Sequence, residues 1–265
     1  MYNSFQLTKK YLQYYLGSSN GKGHGVHSPF VFDLIKNVLR DKKEYEYYPI
    51  IEKGRRQLLK QPAAIEVEDF GAGSGIIKTN KRVVADIARS SLKPKKYARL
   101  LYRLVKYYQP HTIIELGTSF GITAAYLAAG NSHGKLYTIE GSAAIADIAR
   151  KTFERTGIKN IELIRGRFSD HLPVILAKLN TIGLAFIDGN HRKQPTLDYF
   201  EQLMNCSTTS TILIFDDIHW SPEMEEAWTL IKQHPRVTLT IDLFFIGLVF
   251  FNQDIKIKQD FSIRF

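Results

Sequence analysis

The stretch from Thr112 to Glu140, TIIELGTSFGITAAYLAAGNSHGKLYTIE, decides the fold. Thr112 to Leu116 is an apolar run of strand length, and Gly117 and Gly121 bracket the turn after it. Lacking Cβ atoms, these two positions let backbone N–H groups come close to a ligand. Thr123, Ala124, Ala125, Ala128 and Ala129 are small enough for a helix to lie tight on a sheet. About 20 residues after the turn, the strand KLYTIE ends in Glu140, whose carboxylate can accept hydrogen bonds from both hydroxyls of a ribose. Strand, glycine turn, helix and acid-ended strand form half of a nucleotide-binding βαβ unit. They predict a site for an adenosine-bearing ligand.

The interior of the turn narrows the choice. Ser119 and Phe120 stand where a dinucleotide fingerprint needs its middle glycine, so the close approach of a pyrophosphate is disfavoured and a nicotinamide-dependent oxidoreductase ranks low. ELGTSFGIT resembles instead the first motif of class I S-adenosylmethionine (SAM)-dependent methyltransferases. Its ELGxxxGxS/T form is that of the catechol and caffeoyl-CoA O-methyltransferase branch and its bacterial relatives, and the resemblance runs from about residue 98 to residue 251. It implies an α/β fold: a Rossmann-like, doubly wound, seven-stranded and mostly parallel sheet with an antiparallel last strand, plus an N-terminal helical extension. It also implies SAM contacts from Glu115, Gly117, Thr118, Ser119, Gly121, Thr123, Glu140, Gly141, Ser169, Asp170 and Asp188. Asp170, in GRFSDHL, matches the family position that hydrogen-bonds the adenine amino group.

Two further segments bring acids to strand ends. IGLAFIDGNH reads as a buried strand releasing Asp188 and His191 at its carboxyl end, and TILIFDDIHW does the same with Asp216, Asp217 and His219. Ligands of open parallel sheets sit beyond the carboxyl ends of the strands, so these groups are expected to converge. Three carboxylates meeting there repel unless a cation or protons compensate them. One or two carboxylates with water and substrate oxygens describe a magnesium site. Metal-dependent members of the resembling family place one aspartate after the fourth strand and an Asp-Asn or Asp-Asp pair after the fifth, which implies Asp188, Asp216 and Asp217 as ligands of Mg2+. The family's catalytic base lies three residues beyond the first of these and is a lysine in catechol methyltransferases. Here it is His191, as in some bacterial sugar and macrolide methyltransferases, and an imidazole near its ordinary pKa can take a hydroxyl proton at neutral pH. The competing reading makes Asp188 and Asp216 helix caps or loop anchors, and His191 and His219 exposed loop histidines.

With 265 residues, 44% of them hydrophobic, the chain suits one α/β domain of roughly 150 to 170 residues and an additional N-terminal segment. Residues 1–95 are expected to form a mainly helical extension or substrate cap, and residues 96–265 the SAM-binding domain. Gln6 to Leu16 and Phe30 to Leu39 have helical spacing, separated by the loop SSNGKGHGVHSP that carries His24 and His27. The helix Lys96 to Tyr108 is stopped by Pro110. A second glycine cluster, EDFGAGSGI from Glu68 to Ile76, competes for the role of cofactor loop. The segment after this cluster is basic and helical and offers no acid-ended strand at the required distance, so the cluster reads as a tight turn before a helix from Asn80 to Ser90. SPEMEEAW begins another helix with Ser221 as N-cap, and VTLTIDLFFIGLVFF makes two apolar strands turning near Leu243 to Gly247. Trp220 and Phe244 border the acceptor pocket or fill the core, and the core reading is preferred for Phe244.

The acceptor is constrained by charge and by one missing motif. Lys and Arg number 36 against 26 Asp and Glu, a net +10, but the basic residues are dispersed and form no arginine-rich tail. After the fourth strand stands IDGNHR, where many base-amino methyltransferases carry Asn/Asp-Pro-Pro-aromatic. A small-molecule hydroxyl is therefore favoured over a nucleic-acid acceptor. An RNA or protein methyltransferase is the alternative, and a non-enzymatic cofactor-binding module a remote one. Cys206 is the only cysteine, which excludes an intrachain disulfide. No apolar run reaches membrane-spanning length, and Lys9, Lys10 and Gln13 interrupt the opening apolar residues in a way unlike a signal peptide. The expectation is a cytoplasmic enzyme without a membrane partner, whose N-terminal helices serve substrate binding or the contacts of a homodimer.

Overall fold

The computed structural model describes residues 1–18, 21, 27–69 and 78–265. His24 and the glycine cluster Gly71 to Gly75 lie outside the described residues. The chain begins with helices α1 (Ser4–Gly17) and α2 (Pro29–Leu34), the latter running into a π-helical turn at Ile35–Leu39. Next come α3 (Tyr47–Leu58), the antiparallel pair β1 (Ala64–Asp69) and β2 (Lys78–Val83), α4 (Val84–Ser91) and α5 (Lys95–Tyr108). Strand and helix then alternate through β3 (Thr112–Leu116), α6 (Ile122–Gly130), β4 (Lys135–Glu140), α7 (Ala143–Thr156), β5 (Ile161–Arg165) and α8 (Phe168–Lys178). The alternation continues through β6 (Ile182–Ile187), α9 (Lys193–Asn205), β7 (Ser207–Asp216) and α10 (Pro222–Gln233). Three strands complete the order: β8 (Leu239–Asp242), β9 (Ile246–Phe250) and β10 (Gln259–Ser262).

Two compact units divide these elements. One is Lys42–Lys178; the other combines Met1–Asp41 with Leu179–Phe265. In the first, β3, β4 and β5 pair in parallel in that order. α6 is apolar all round, and all nine of its residues are buried, as a helix without a polar face must be. α5 crosses it closely at Gly130, where a Cβ would stand 2.7 Å from Val105 Cβ and 2.8 Å from the Tyr102 carbonyl oxygen. α3 adds a buried polar knot, in which Glu52 Oε1 accepts from Tyr126 Oη at 2.8 Å and from Arg55 Nε at 2.9 Å. Those two bonds satisfy a carboxylate that would otherwise be costly to bury. β1 packs against α7, and β2 against α4.

The second unit holds five strands in the order β10-β8-β9-β7-β6. β6 and β7 run parallel, β9 runs antiparallel to both β7 and β8, and β10 runs parallel to β8. All five residues of β9 are buried. α10 starts as its sequence demands, with Ser221 Oγ accepting from Met224 N at 3.2 Å, Pro222 in the first turn, and Glu223 and Glu225 at the positive helix end. α1 carries a capping box between Asn3 and Gln6, and sets Tyr11 and Tyr14 against Phe244.

The expected class is met: α/β, Rossmann-like and mostly parallel, with β9 as the antiparallel strand. The two sets hold eight strands rather than seven, because the polar QDFS segment adds the short strand β10 beside β8. Asn80 to Val83 are strand rather than helix. Six ladder pairs between Ala64–Val83 and Asp69–Lys78 recruit them to β2, and the helix starts only at Val84. Among the described residues no helix is long and apolar enough to cross a membrane.

Candidate active site

In the Lys42–Lys178 unit, the glycine turn after β3 is held by its neighbours on both sides. Gly117 and Thr118 donate their backbone N–H groups to the Ile139 carbonyl at 3.1 and 3.2 Å, which pins the turn to the end of β4. Gly121, the N-cap of α6, has φ +79°, and a Cβ there would lie 2.6 Å from Phe153 Cε1. Both the left-handed backbone and the close approach of α7 therefore require glycine. Beneath the turn, Thr138 Oγ1 donates to Glu115 Oε2 at 2.6 Å. Its one hydroxyl proton being committed, the 2.6 Å contact with Thr118 Oγ1 has Thr118 as donor. Glu115 is fully buried, and this chain of bonds fixes Thr118 over the strand end.

Glu140 closes the arrangement. Its Oε2 accepts from Ser119 N at 2.9 Å, and its Oε1 accepts from Ser142 N at 3.0 Å. One carboxylate thus bridges the glycine turn and the start of α7. Burial pushes the Glu140 pKa above the usual carboxylate range, against the opposing pull of these backbone donors. Each oxygen retains a second lone pair, so the group can still accept from a diol. Gly141 is half-buried beside it, and Thr123 is buried on α6. Ser169 and Asp170 are exposed in the first turn of α8, with Ser169 Oγ donating to Asp170 Oδ1 at 2.9 Å.

In the other unit, Asp188 follows β6 directly and Asp216 ends β7. The structure brings Asp188, His191 and Asp216 together: one ligand atom of each lies within 4.8 Å of the others, and Asp216 is 1% exposed. His191 Nε2 and Asp188 Oδ1 are 3.6 Å apart, too far for a hydrogen bond but a suitable spacing for two donors on one ion. Donors about 2.1 Å from a divalent ion are at most about 4.2 Å apart, so the group needs only a small contraction to hold one. The two carboxylates offer the oxygen donors that a hard divalent cation takes, with the His191 imidazole beside them. Asp217 is not in this group. Its backbone takes φ +53° and donates to the Phe245 carbonyl at 2.7 Å, so it serves the turn after β7.

His219 is also placed elsewhere. Its Nε2 lies 2.7 Å from Asp242 Oδ2 and its Nδ1 2.9 Å from Glu225 Oε1. Glu225 is in turn held by Lys10 Nζ at 2.9 Å and by Tyr2 Oη at 2.7 Å. Burial works against the imidazolium, but the two carboxylates outweigh it and raise the His219 pKa. Phe244 is buried and stacks on the same imidazole at 5.1 Å between centroids, a core role. His27 is exposed. One partner of the site escaped the sequence reading: Glu68 of β1 accepts from Ala143 N at 3.0 Å, at the start of α7. No local pattern announces a bond to a residue 75 positions away.

Residues 114–218 match a family model described as "Methyltransferase domain". The chain is 31% identical over 111 residues to the O-methyltransferase imqG of Aspergillus flavus, covering 40% of this chain and 44% of that protein. It thus spans less than half the length of the curated relatives it matches. Among solved structures, the O-methyltransferase from Bacillus cereus in complex with SAH is similar with a TM-score of 0.56 and 23% identity, over 83% of this chain and 97% of that one. The O-methyltransferase TomG from Streptomyces achromogenes, in complex with SAM, gives 0.58 and 18%, over 79% and 91%. At such identities the likeness speaks for the fold, and it extends well beyond the matched segment. Residues 114–218 thus resemble a methyltransferase domain, and the fold around them is similar to that of Rossmann-like O-methyltransferase structures.

Proposed function

We propose that this chain transfers the methyl group of SAM to a hydroxyl group of a small molecule, with a divalent cation such as Mg2+ held by Asp188 and Asp216. The observation that carries the reading is Glu140, an acid at a strand end whose two oxygens are each aimed by a backbone N–H, one of them from the glycine turn. Both solved structures compared above are O-methyltransferases holding SAM or SAH, and the matched segment includes Glu140.

SAM, when bound, supplies a methyl carbon already activated by its sulfonium. The chain's part is to bind and orient. Glu140 accepts from the ribose hydroxyls, the Gly117 to Gly121 turn leaves its backbone open to the amino-acid end, and Ser169 and Asp170 serve the adenine edge. His191 takes the proton of the acceptor hydroxyl on an imidazole nitrogen, and Asp188 stands 3.6 Å from that ring. A cation on Asp188 and Asp216 would lower the hydroxyl pKa and lighten that task. Most of the acceleration comes from alignment and electrostatic support of the nucleophile. A cytoplasmic place of action goes with this reading, and the single cysteine, Cys206, suits a reducing compartment.

Calorimetric titration with SAM and, separately, with NAD is the direct test. Saturable binding of SAM and none of NAD supports the proposal. A chain that takes up no SAM, with or without Mg2+, overturns it.

A further inference from the structure

The start of α7 is capped in an unusual way. Ser142 occupies the N-cap position but makes no side-chain bond to its own helix. Its Oγ instead accepts from the backbone N–H of Glu68 at 3.4 Å, while Glu68 Oε2 accepts from Ala143 N at 3.0 Å. This exchange replaces a capping box, with strand β1 supplying the acid from outside the helix. A carboxylate at that end is also favoured by the helix dipole. The neighbouring N–H, that of Ser142, is the one that aims Glu140 Oε1. Two carboxylates thus hold consecutive backbone donors, Glu140 at Ser142 and Glu68 at Ala143. A second bond from the same stretch of chain meets the other side of the site: Ser91, the last residue of α4, lies 3.0 Å through its Oγ from the Oγ of Ser119, whose N–H aims Glu140 Oε2.

We infer that Glu68 is a cofactor-positioning residue: by capping α7 from β1 it fixes the Ser142 amide, and through it the direction in which Glu140 presents its carboxylate to the ribose of SAM. The inference rests on the reading of Glu140 as the ribose acceptor. Glu68 itself touches no ligand atom, and its effect belongs to cofactor affinity. Strand β1 is thereby part of the SAM site.

The test is SAM titration of the full chain by calorimetry, with thermal melting of each variant without ligand. Glu68→Ala is expected to raise the SAM Kd about tenfold, on the scale of a lost charged hydrogen bond in a helix cap. Glu68→Gln keeps an acceptor for Ala143 N and is expected to restore the Kd to within about twofold of the wild-type chain. A merely structural role would lower the melting temperature of Glu68→Ala without a Kd change that Gln repairs, and that result overturns the inference. If Glu68→Ala does not fold, Ser142→Ala carries the test by deleting the other half of the exchange: a raised Kd supports the inference and an unchanged one overturns it. A wild-type chain that binds no SAM defeats the reading of the site itself. Wild-type binding with an unaffected Glu68→Ala defeats only the role of Glu68.

Discussion

At the scale of single residues, the site makes demands that only one side chain meets. Glu140 accepts one backbone N–H on each oxygen, and an amide would set its NH2 group against one of those donors. Glu140→Gln is therefore expected to weaken SAM binding more than tenfold, measured by titration, although its size is unchanged. Gly121→Ala places a methyl 2.6 Å from the Phe153 ring at φ +79°, and is expected to cost about 2–4 kcal/mol in a denaturant melt. An unaltered midpoint would mean that α7 yields more easily than the packing implies. The double variant Asp188→Ala/Asp216→Ala is expected to abolish stimulation of turnover by Mg2+ while the SAM Kd stays put. If chelator leaves wild-type turnover unchanged, the cation drops out of the mechanism. Gly117, Gly121 and Glu140 were legible in the sequence because each answers a local backbone demand at a fixed spacing. The Asp216–Asp217 pair was legible only in part. Asp216 still belongs to β7 and meets Asp188, whereas Asp217 has left the strand with φ +53°, a backbone turn that no local pattern announces.

At the scale of elements, α1 shows how a helix with no buried residue is still tied down. It is held by Tyr2 and Lys10 on Glu225, which shares His219 with Asp242, and by Tyr11 and Tyr14 on Phe244. His219 has a folded pKa raised above its ordinary value, so the stability it contributes is fully present below about pH 6.5 and is lost as pH rises through the folded value. Glu225 is shifted the other way, chiefly by Lys10 and Tyr2 against the opposing effect of burial, and its contribution is lost only in acid. The melting temperature is expected to decline as pH rises above about 6.5 through the raised folded value, and His219→Gln to flatten that decline. Equal slopes in the two proteins would remove His219 from the pH response. The sequence carried most elements in outline: the helix expected over Lys96–Tyr108 is Lys95–Tyr108, and the one over Gln6–Leu16 is Ser4–Gly17. It did not carry β2, since KTNKRV has no strand alternation and only one apolar residue, Val83, and becomes a strand only through its ladder with β1. β10 is hidden for the same reason, being four residues of mixed character paired to β8.

At the scale of the molecule, charge is the property that no single element explains. A net charge of +10 gives this chain affinity for any polyanion, so retention on RNA is expected whatever its substrate. Such binding is driven by counterion release. With about six phosphate contacts it weakens about a thousandfold between 50 and 200 mM salt. On the proposed function, methyl transfer to a small hydroxyl acceptor has no such term, because the cofactor assigned to Glu140 and the Gly117 to Gly121 turn carries no phosphates. Turnover on that acceptor is expected to vary by less than about twofold across the same salt range, while RNA retention collapses. Radiolabelled SAM distinguishes the two directly: label should enter the small-molecule fraction at both salt concentrations and stay out of RNA at both. Label that enters RNA at low salt and vanishes at high salt would make the positive surface part of acceptor recognition, and the hydroxyl acceptor would have to be sought on a nucleic acid.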